Sequence, residues 1–204
     1  MKLLISSRNA HKIREIRDIL GRPGLDLLSV DDVPGLPDVD EDGDTFAANA
    51  LKKARELCRA SGLWTIADDS GLEVDALGGA PGIYSARYAS DHNFADNIDR
   101  LLSELEKIYG KSDSEEAFPG AARFRCVTTL ILPDGVPHYF EGTVEGRIAR
   151  RRHGDGGFGY DPVFVPDAFP GKTIAELPED VKNGISHRGV ALRKMADWLD
   201  LIQR

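Results

Sequence analysis

The chain has 204 residues, 41% hydrophobic and 29% charged, the composition of an ordinary soluble globular protein with room for a real core. Asp and Glu total 34 against 26 Lys and Arg, a formal charge of −8, which argues against broad nucleic-acid binding. A bound polyanion would therefore need positive charge concentrated in one cleft, or a metal. No apolar stretch reaches the length of a membrane span, and the opening Met-Lys-Leu-Leu-Ile-Ser-Ser turns polar too early for a signal peptide. The two cysteines, Cys58 and Cys126, have no CxxC partner and no His at metal-ligand spacing. Buried free thiols and a reducing, cytoplasmic setting are expected.

Residues 2–6 read as a first strand and residues 10–21 as a helix, with Ile13, Ile16 and Leu20 on one face. Gly21-Arg-Pro-Gly ends that helix, and Leu25 to Val30 forms a second strand, so a parallel pair with a crossover is expected. An acidic loop over 31–43 leads to Thr45, the N-cap of a helix that runs to Ser61 and stops at Gly62. Next comes Trp64-Thr-Ile-Ala-Asp68-Asp69-Ser70-Gly71, a buried strand that should stop at its two carboxylates. Residues 72–90 look irregular, and Asp91 to Tyr109 repeats apolar residues at helical spacing. After a polar connector, two β-type runs, 121–132 and 136–149, flank Pro133-Asp-Gly135 as a hairpin. Residues 150–159 are a basic, glycine-rich loop. Ser186 caps a last helix carrying Leu192, Met195, Leu199 and Ile202.

Four stretches carry candidate chemistry beside the Asp68-Asp69 pair. Carboxylates beyond a strand end can hold a divalent metal or take a proton from water, although Asp-Asp-Ser-Gly also has the composition of a solvated turn. Ser7-Arg8-Asn9-Ala10-His11-Lys12 joins the first strand to the first helix, where unpaired N–H groups suit an anion; it lacks the glycines of a Walker A loop, and a merely capped helix is the alternative. Asn49 and Lys53, four apart, share a helical face that could meet a phosphate or its metal, or simply be solvated. Gly156-Gly-Phe158-Gly159-Tyr160-Asp161 sets two aromatics among glycines, able to stack on a base or to plug the loop onto the core. Lys182 to Gly189 places His187 and Arg188 at a helix start, where cations oppose the dipole unless an acceptor or anion is present.

Taken together, these residues resemble the inosine/xanthosine triphosphate pyrophosphatases, the non-canonical purine NTP pyrophosphatases. The resemblance rests on S-x-N-x-x-K at 7–12, T-F-x-x-N-A-x-x-K-A at 45–54 and A-D-D-S-G-L-E-V at 67–74. It continues through P-G-I-Y-S-A-R-Y-A at 81–89, G-G-F-G-Y-D-P-V-F at 156–164 and K-x-x-I-S-H-R-G at 182–189. Each motif is weak alone, but the six in order over nearly the whole chain are specific.

The resemblance implies an α/β fold: an elongated mixed β-sheet flanked by helices, in two lobes with a nucleotide cleft between them. It makes 1–204 one domain, the 121–149 hairpin belonging to the second lobe. It implies hydrolysis of ITP, dITP and XTP to the monophosphate and pyrophosphate with Mg²⁺, by a homodimer. Asp69 matches the proton acceptor and a metal ligand, with Asp40 the best match for a second ligand and Glu41 beside it. Ser7, Arg8, Asn9, Ala10, His11, Lys12 and Lys53 match the triphosphate contacts, with Ser70 next to Asp69. Phe158 would stack on the base within Phe158-Gly159-Tyr160-Asp161, and Asp161, Lys182, His187 and Arg188 would surround its edge, Arg188 reading the 6-oxo group. The family often carries Glu before the Asn of the second motif, where this chain has Ala48, so the acidic count near the metal is lower. The competing readings are a related enzyme acting on pyrimidine or modified nucleotides, and a non-catalytic nucleotide- or RNA-binding module built on the stacking loop and Arg150-Arg-Arg152.

Overall fold

The structure is a computed structural model describing residues 1–202; the last two positions of the expected 1–204 domain lie outside the described residues. Six strands form one sheet: β1 (Lys2–Ile5), β2 (Asp26–Ser29), β3 (Trp64–Val74), β4 (Ala122–Ile131), β5 (Pro137–Ile148) and β6 (Phe164–Pro166), in the order β2-β1-β3-β4-β5-β6. Five α-helices accompany them: α1 (Ala10–Leu20), α2 (Phe46–Ser61), α3 (Phe94–Tyr109), α4 (Glu179–Ile185) and α5 (His187–Ile202). The mixed α/β class is as expected: β1 is parallel to β2 and β3, and β5 is antiparallel to β6. The chain divides into two compact units.

The first unit comprises Met1–Asp69, Cys126–Gly142 and the chain from His187 onward. Side chains alternate across a strand, and here the alternation builds two cores. Leu3, Ile5, Ile66 and Leu130 pack with Ile16 and Leu20 of α1 and with Leu192, Met195 and Leu199 of α5. Their neighbours face the other way: Leu4 meets Val30 and Leu57, and Ala67 and Ile131 meet Ala54 and Cys58 of α2. Thr45 accepts the Ala48 N–H at the start of α2, and Gly62, left-handed at φ 68°, ends it. A Cβ on Gly142 would lie 2.0 Å from the His187 carbonyl oxygen, so the start of α5 rests directly on the β5 backbone.

The second unit comprises Ser70–Arg125 and Thr143–Ser186. Its core gathers Leu72, Val74, Phe124 and Val144 from the strands with Ile98, Leu101 and Leu105 of α3 and Tyr160 and Phe164. On its surface Arg123 bridges Asp75 (2.7 Å) and Glu145 (3.1 Å).

Several expectations shift. The strand through Asp68-Asp69 does not stop at the carboxylates but continues to Val74. Only its pairing with β1 stops early, at Ile66. Leu72 and Val74 still need a core, and that demand overrides the turn composition of Asp-Asp-Ser-Gly. Helix α3 begins at Phe94, capped by Asn93, rather than at Asp91. The hairpin is divided: residues 126–142 pack in the first unit and the remainder of β4 and β5 in the second. The short β6 and the seven-residue α4 had no sequence signal.

Candidate active site

The first unit collects its charged residues on both faces of β3. Asn9 caps α1, its Oδ1 accepting the N–H groups of His11 (3.0 Å) and Lys12 (3.3 Å). The cap sets Lys12 on the first turn, and its ammonium lies 3.1 Å from Asp68 Oδ2. From the start of α5, Arg188 reaches the same oxygen through Nε (3.2 Å) and Nη2 (3.0 Å), while its Nη1 binds Glu15 of α1. The Cys126 thiol lies 4.0 Å from that oxygen. On the α2 side, Asn49 Nδ2 donates to Asp69 Oδ2 (3.0 Å), and Lys53 Nζ donates to the Asp68 carbonyl (2.8 Å) and to Glu41 Oε1 (2.9 Å).

These contacts give the two aspartates opposite electrostatics. Burial disfavours ionisation of Asp68, but Lys12, Arg188 and Lys53 outweigh it and hold the carboxyl far below the usual range. Burial pushes the Asp69 carboxyl above its ordinary value; Lys53 opposes the shift and Glu41 adds to it. Burial also works against Glu41, which Lys53 keeps below its ordinary value. Lys53 is itself almost wholly buried, yet Glu41, Asp69 and Asp68 hold it as an ammonium.

Glu41 and Asp69 are hard oxygen donors, and a buried carboxylate raised partly by a second one is relieved by a cation. Magnesium binds through one or two carboxylates and completes its shell with water and phosphate oxygens, so this pair fits such an ion. Among the described residues no group of three or more His, Cys, Asp and Glu is gathered into a metal cluster. Asp40, the expected second ligand, is exposed, and it is Glu41 that turns toward Lys53 and Asp69.

The second unit gathers another group. Phe158 is half-buried with the Lys182 ammonium 4.7 Å from its ring centroid. Asp161, buried, accepts from Lys182 Nζ (2.9 Å) and from the Phe158 N–H (2.8 Å), so one carboxylate fixes both the loop and the lysine. Gly159, left-handed at φ 67°, turns the chain so that Tyr160 enters the core, edge-on to Phe94 and donating to the Ser85 carbonyl (3.0 Å). Tyr160 is the plug of this loop, and Phe158 is the ring with an exposed portion.

The structure thus brings together Lys12, Lys53 and Asp69, and separately Phe158, Asp161 and Lys182. Ser7 accepts the Asn9 N–H at 3.1 Å. Ala10 opens α1 and His11 is exposed there, while Arg8 pairs with Asp38 and Asp31. Ser70 continues β3 past Asp69, and His187 opens α5, half-buried. Arg188 has a task not read in the sequence: fully buried, it clamps Asp68 and Glu15, and these carboxylates are the acceptors that a cation at a helix start needs. Glu15 went unnoticed, although its place beside Ile16 and three residues after Lys12 puts a carboxylate on the buried flank of α1.

This chain matches the model of the Ham1 family over residues 3–198. It is 49% identical to a dITP/XTP pyrophosphatase of Streptomyces avermitilis, covering 95% of this chain and 94% of that one. Among solved structures, a HAM1 protein from Coxiella burnetii superposes with a TM-score of 0.86 at 35% identity, over 98% of both chains. A nucleoside-triphosphatase, or dITP/XTP pyrophosphatase, from Mycobacterium abscessus gives 0.76 at 41% identity, over 96% of this chain and 98% of that one. With residues 3–198 matched and the motif residues gathered around β3 and Phe158, the chain belongs to the Ham1 family.

Proposed function

We propose that this protein hydrolyses non-canonical purine nucleoside triphosphates, ITP, dITP and XTP, to the nucleoside monophosphate and pyrophosphate, and so removes them from the nucleotide pool. The observation that carries the reading is the Asp69 cluster: a buried, proton-avid carboxylate with Glu41 beside it and Lys53 and Lys12 around it, in a chain whose relatives bear the name dITP/XTP pyrophosphatase. A triphosphate carries about four negative charges near neutral pH, and this chain is itself acidic. Lys12, Lys53 and the N–H groups opening α1, in the stretch Ser7 to Lys12, offset that charge. Asp69, its carboxyl raised by burial, orients a water molecule and takes its proton. Asp69 and Glu41 would hold Mg²⁺, which when bound neutralises phosphate charge and lowers the pKa of water. Asp68, held ionised by three cations, keeps Lys12 and Arg188 in place.

Phe158 offers a ring for stacking the base, with Lys182 over it and Asp161 tied to both. Hypoxanthine and xanthine carry a 6-oxo acceptor that suits a donor such as Lys182, whereas Arg188 is buried against Asp68 and Glu15. Adenine presents a 6-amino donor, and two facing donors left buried cost about 1–3 kcal/mol or more. The active form we propose is a cytoplasmic homodimer that takes free nucleotides rather than nucleic acid. No described helix is long and apolar enough to cross a membrane, and both cysteines are buried free thiols. Incubation with ITP, dITP, XTP, GTP and ATP and Mg²⁺, with pyrophosphate detection, tests the reading. Pyrophosphate from the first three and little from ATP is expected; orthophosphate release, or no preference over ATP, overturns it.

A further inference from the structure

Asn49 is 1% exposed, a primary amide sealed into the first unit between two segments that carry carboxylates. Its Nδ2 donates to Asp69 Oδ2 at 3.0 Å. Its Oδ1 accepts the backbone N–H of Gly43 at 2.8 Å. Gly43 stands two residues after Glu41 in the acidic loop, where Glu41 is tied to Lys53 at 2.9 Å. One side chain therefore grips Asp69 at one end and the Glu41 loop at the other. Its orientation is dictated by its partners: a backbone N–H can only donate, so it faces the amide oxygen, and an ionised carboxylate can only accept, so it faces the amide nitrogen.

The fit leaves no room for variation at Gly43. A Cβ there would stand 2.8 Å from Asn49 Oδ1, 2.9 Å from the Ala48 Cβ and 3.2 Å from the Asn49 backbone nitrogen. The loop thus reaches the first turn of α2 by backbone alone, where Thr45 Oγ1 already receives the Ala48 N–H. The helix start, the amide and the loop form one bracket in which a single Asn side chain ties the Glu41 loop to Asp69. Asp would repel Asp69 where the amide donates, and Gln would push the loop away by one methylene.

We infer that Asn49 is a positioning residue that preforms the two-carboxylate cation site, holding Glu41 and Asp69 at their working separation before nucleotide arrives. The inference rests on the proposed pyrophosphatase site but concerns the empty protein, so it can fail on its own. Groups that orient metal ligands typically cost about 10–100-fold in metal affinity or activity when removed.

The test uses Mn²⁺ as the probe, with its dissociation constant measured by electron paramagnetic resonance on the nucleotide-free protein. Asn49→Ala is expected to weaken Mn²⁺ binding about 10–100-fold and to lower kcat for dITP by a similar factor, with KM little changed. Gly43→Ala leaves Asn49 intact but forces the loop off it, and should weaken Mn²⁺ binding in the same direction. It serves as the second reading if Asn49→Ala does not fold. A bracket that only stabilised the fold would lower Tm while leaving Mn²⁺ affinity and kcat of the folded protein at wild-type values, and that result overturns the inference. Failure of the wild-type protein to bind Mn²⁺ without nucleotide overturns it too. A wild-type protein that binds Mn²⁺ yet hydrolyses none of the nucleotides instead sinks the proposed function.

Discussion

Asp68 and Asp69 are consecutive residues of one strand, yet their carboxylates lie on opposite faces of the sheet. Asp68 points with Ile66 toward α1 and α5 and meets Lys12 and Arg188. Asp69 points with Ala67 toward α2 and meets Asn49. The period-2 alternation of a strand separates an anchor from the proposed base within two positions. Lys53 spans the division by taking the Asp68 carbonyl, which leaves the Asp68 carboxylate to the other face.

Substitution should therefore split the pair. Asp69→Asn is expected to lower kcat for dITP about 10²–10⁴-fold, the usual worth of a positioned general base. Its Tm should hold or rise. The Asp69 pKa is raised on folding, so at neutral pH the folded state carries the cost of keeping that carboxylate charged, and a neutral amide removes it. Pyrophosphate release and a thermal melt on the same preparation check both halves.

Asp68→Asn should behave in the opposite order, with stability lost first. It removes the carboxylate that Arg188 and Lys12 share, while the Arg188–Glu15 pair stays in place. Breaking a buried pair from one side costs about 3–5 kcal/mol, and at this chain length each kcal/mol moves Tm by about 2–4 °C. A fall in Tm of about 6–20 °C is expected. A Tm within experimental error of wild type would remove Asp68 from the role of anchor.

Phe158→Ala tests the stacking surface. Base–aromatic stacking is worth about 1–3 kcal/mol, so KM for dITP should rise about 5–150-fold. Stability should change little, because Tyr160, not Phe158, fills the core of this loop. Equal KM values for the variant and wild type would place the base elsewhere.

Chelation tests the cation. EDTA should abolish dITP hydrolysis and added Mg²⁺ should restore it, because Glu41 and Asp69 add negative charge beside the triphosphate that a cation must neutralise. Full activity in EDTA would show that Lys12 and Lys53 suffice.

Much of this is legible in the sequence. Thr45 and Gly62 bracket α2, and the Ile13-Ile16-Leu20 spacing marks α1, because caps and apolar periodicity are local. The six motifs pointed to the Lys12, Lys53, Asp69 and Phe158 groups. What stayed hidden was decided by distant partners. The path of β3 through Asp68-Asp69 depends on Lys12, Lys53 and Arg188 to satisfy carboxylates that otherwise signal a turn. The choice of Glu41 over Asp40 depends on the phase at which the acidic loop meets α2, and a loop has no period from which to read it. The Glu15–Arg188 contact joins residues 173 apart in the chain.

The alkaline limit of stability follows from two thiols and two phenols, Tyr160 being raised by burial like the other three. Burial pushes the Cys126 thiol up to about 12, with Asp68 adding to the shift. Burial and the hydrogen bond to Glu104 push Tyr88 up to about 12 as well. Burial also raises the Cys58 thiol. In the unfolded chain a thiol ionises near about 8.5 and a phenol near about 10. A pKa raised on folding means that the native state holds the proton more tightly. The stability this gives is fully present below the unfolded pKa and is lost as pH rises through the folded one. Tm should therefore hold to about pH 8.5 and then fall progressively toward pH 12, with the first part of the fall due to the thiols alone. Cys126→Ala should lower Tm at neutral pH by opening a small cavity, yet flatten the decline between about pH 8.5 and 10. Melts at half-unit pH steps on both proteins decide this, and a decline of equal slope in the variant would show that Cys126 does not govern the alkaline limit.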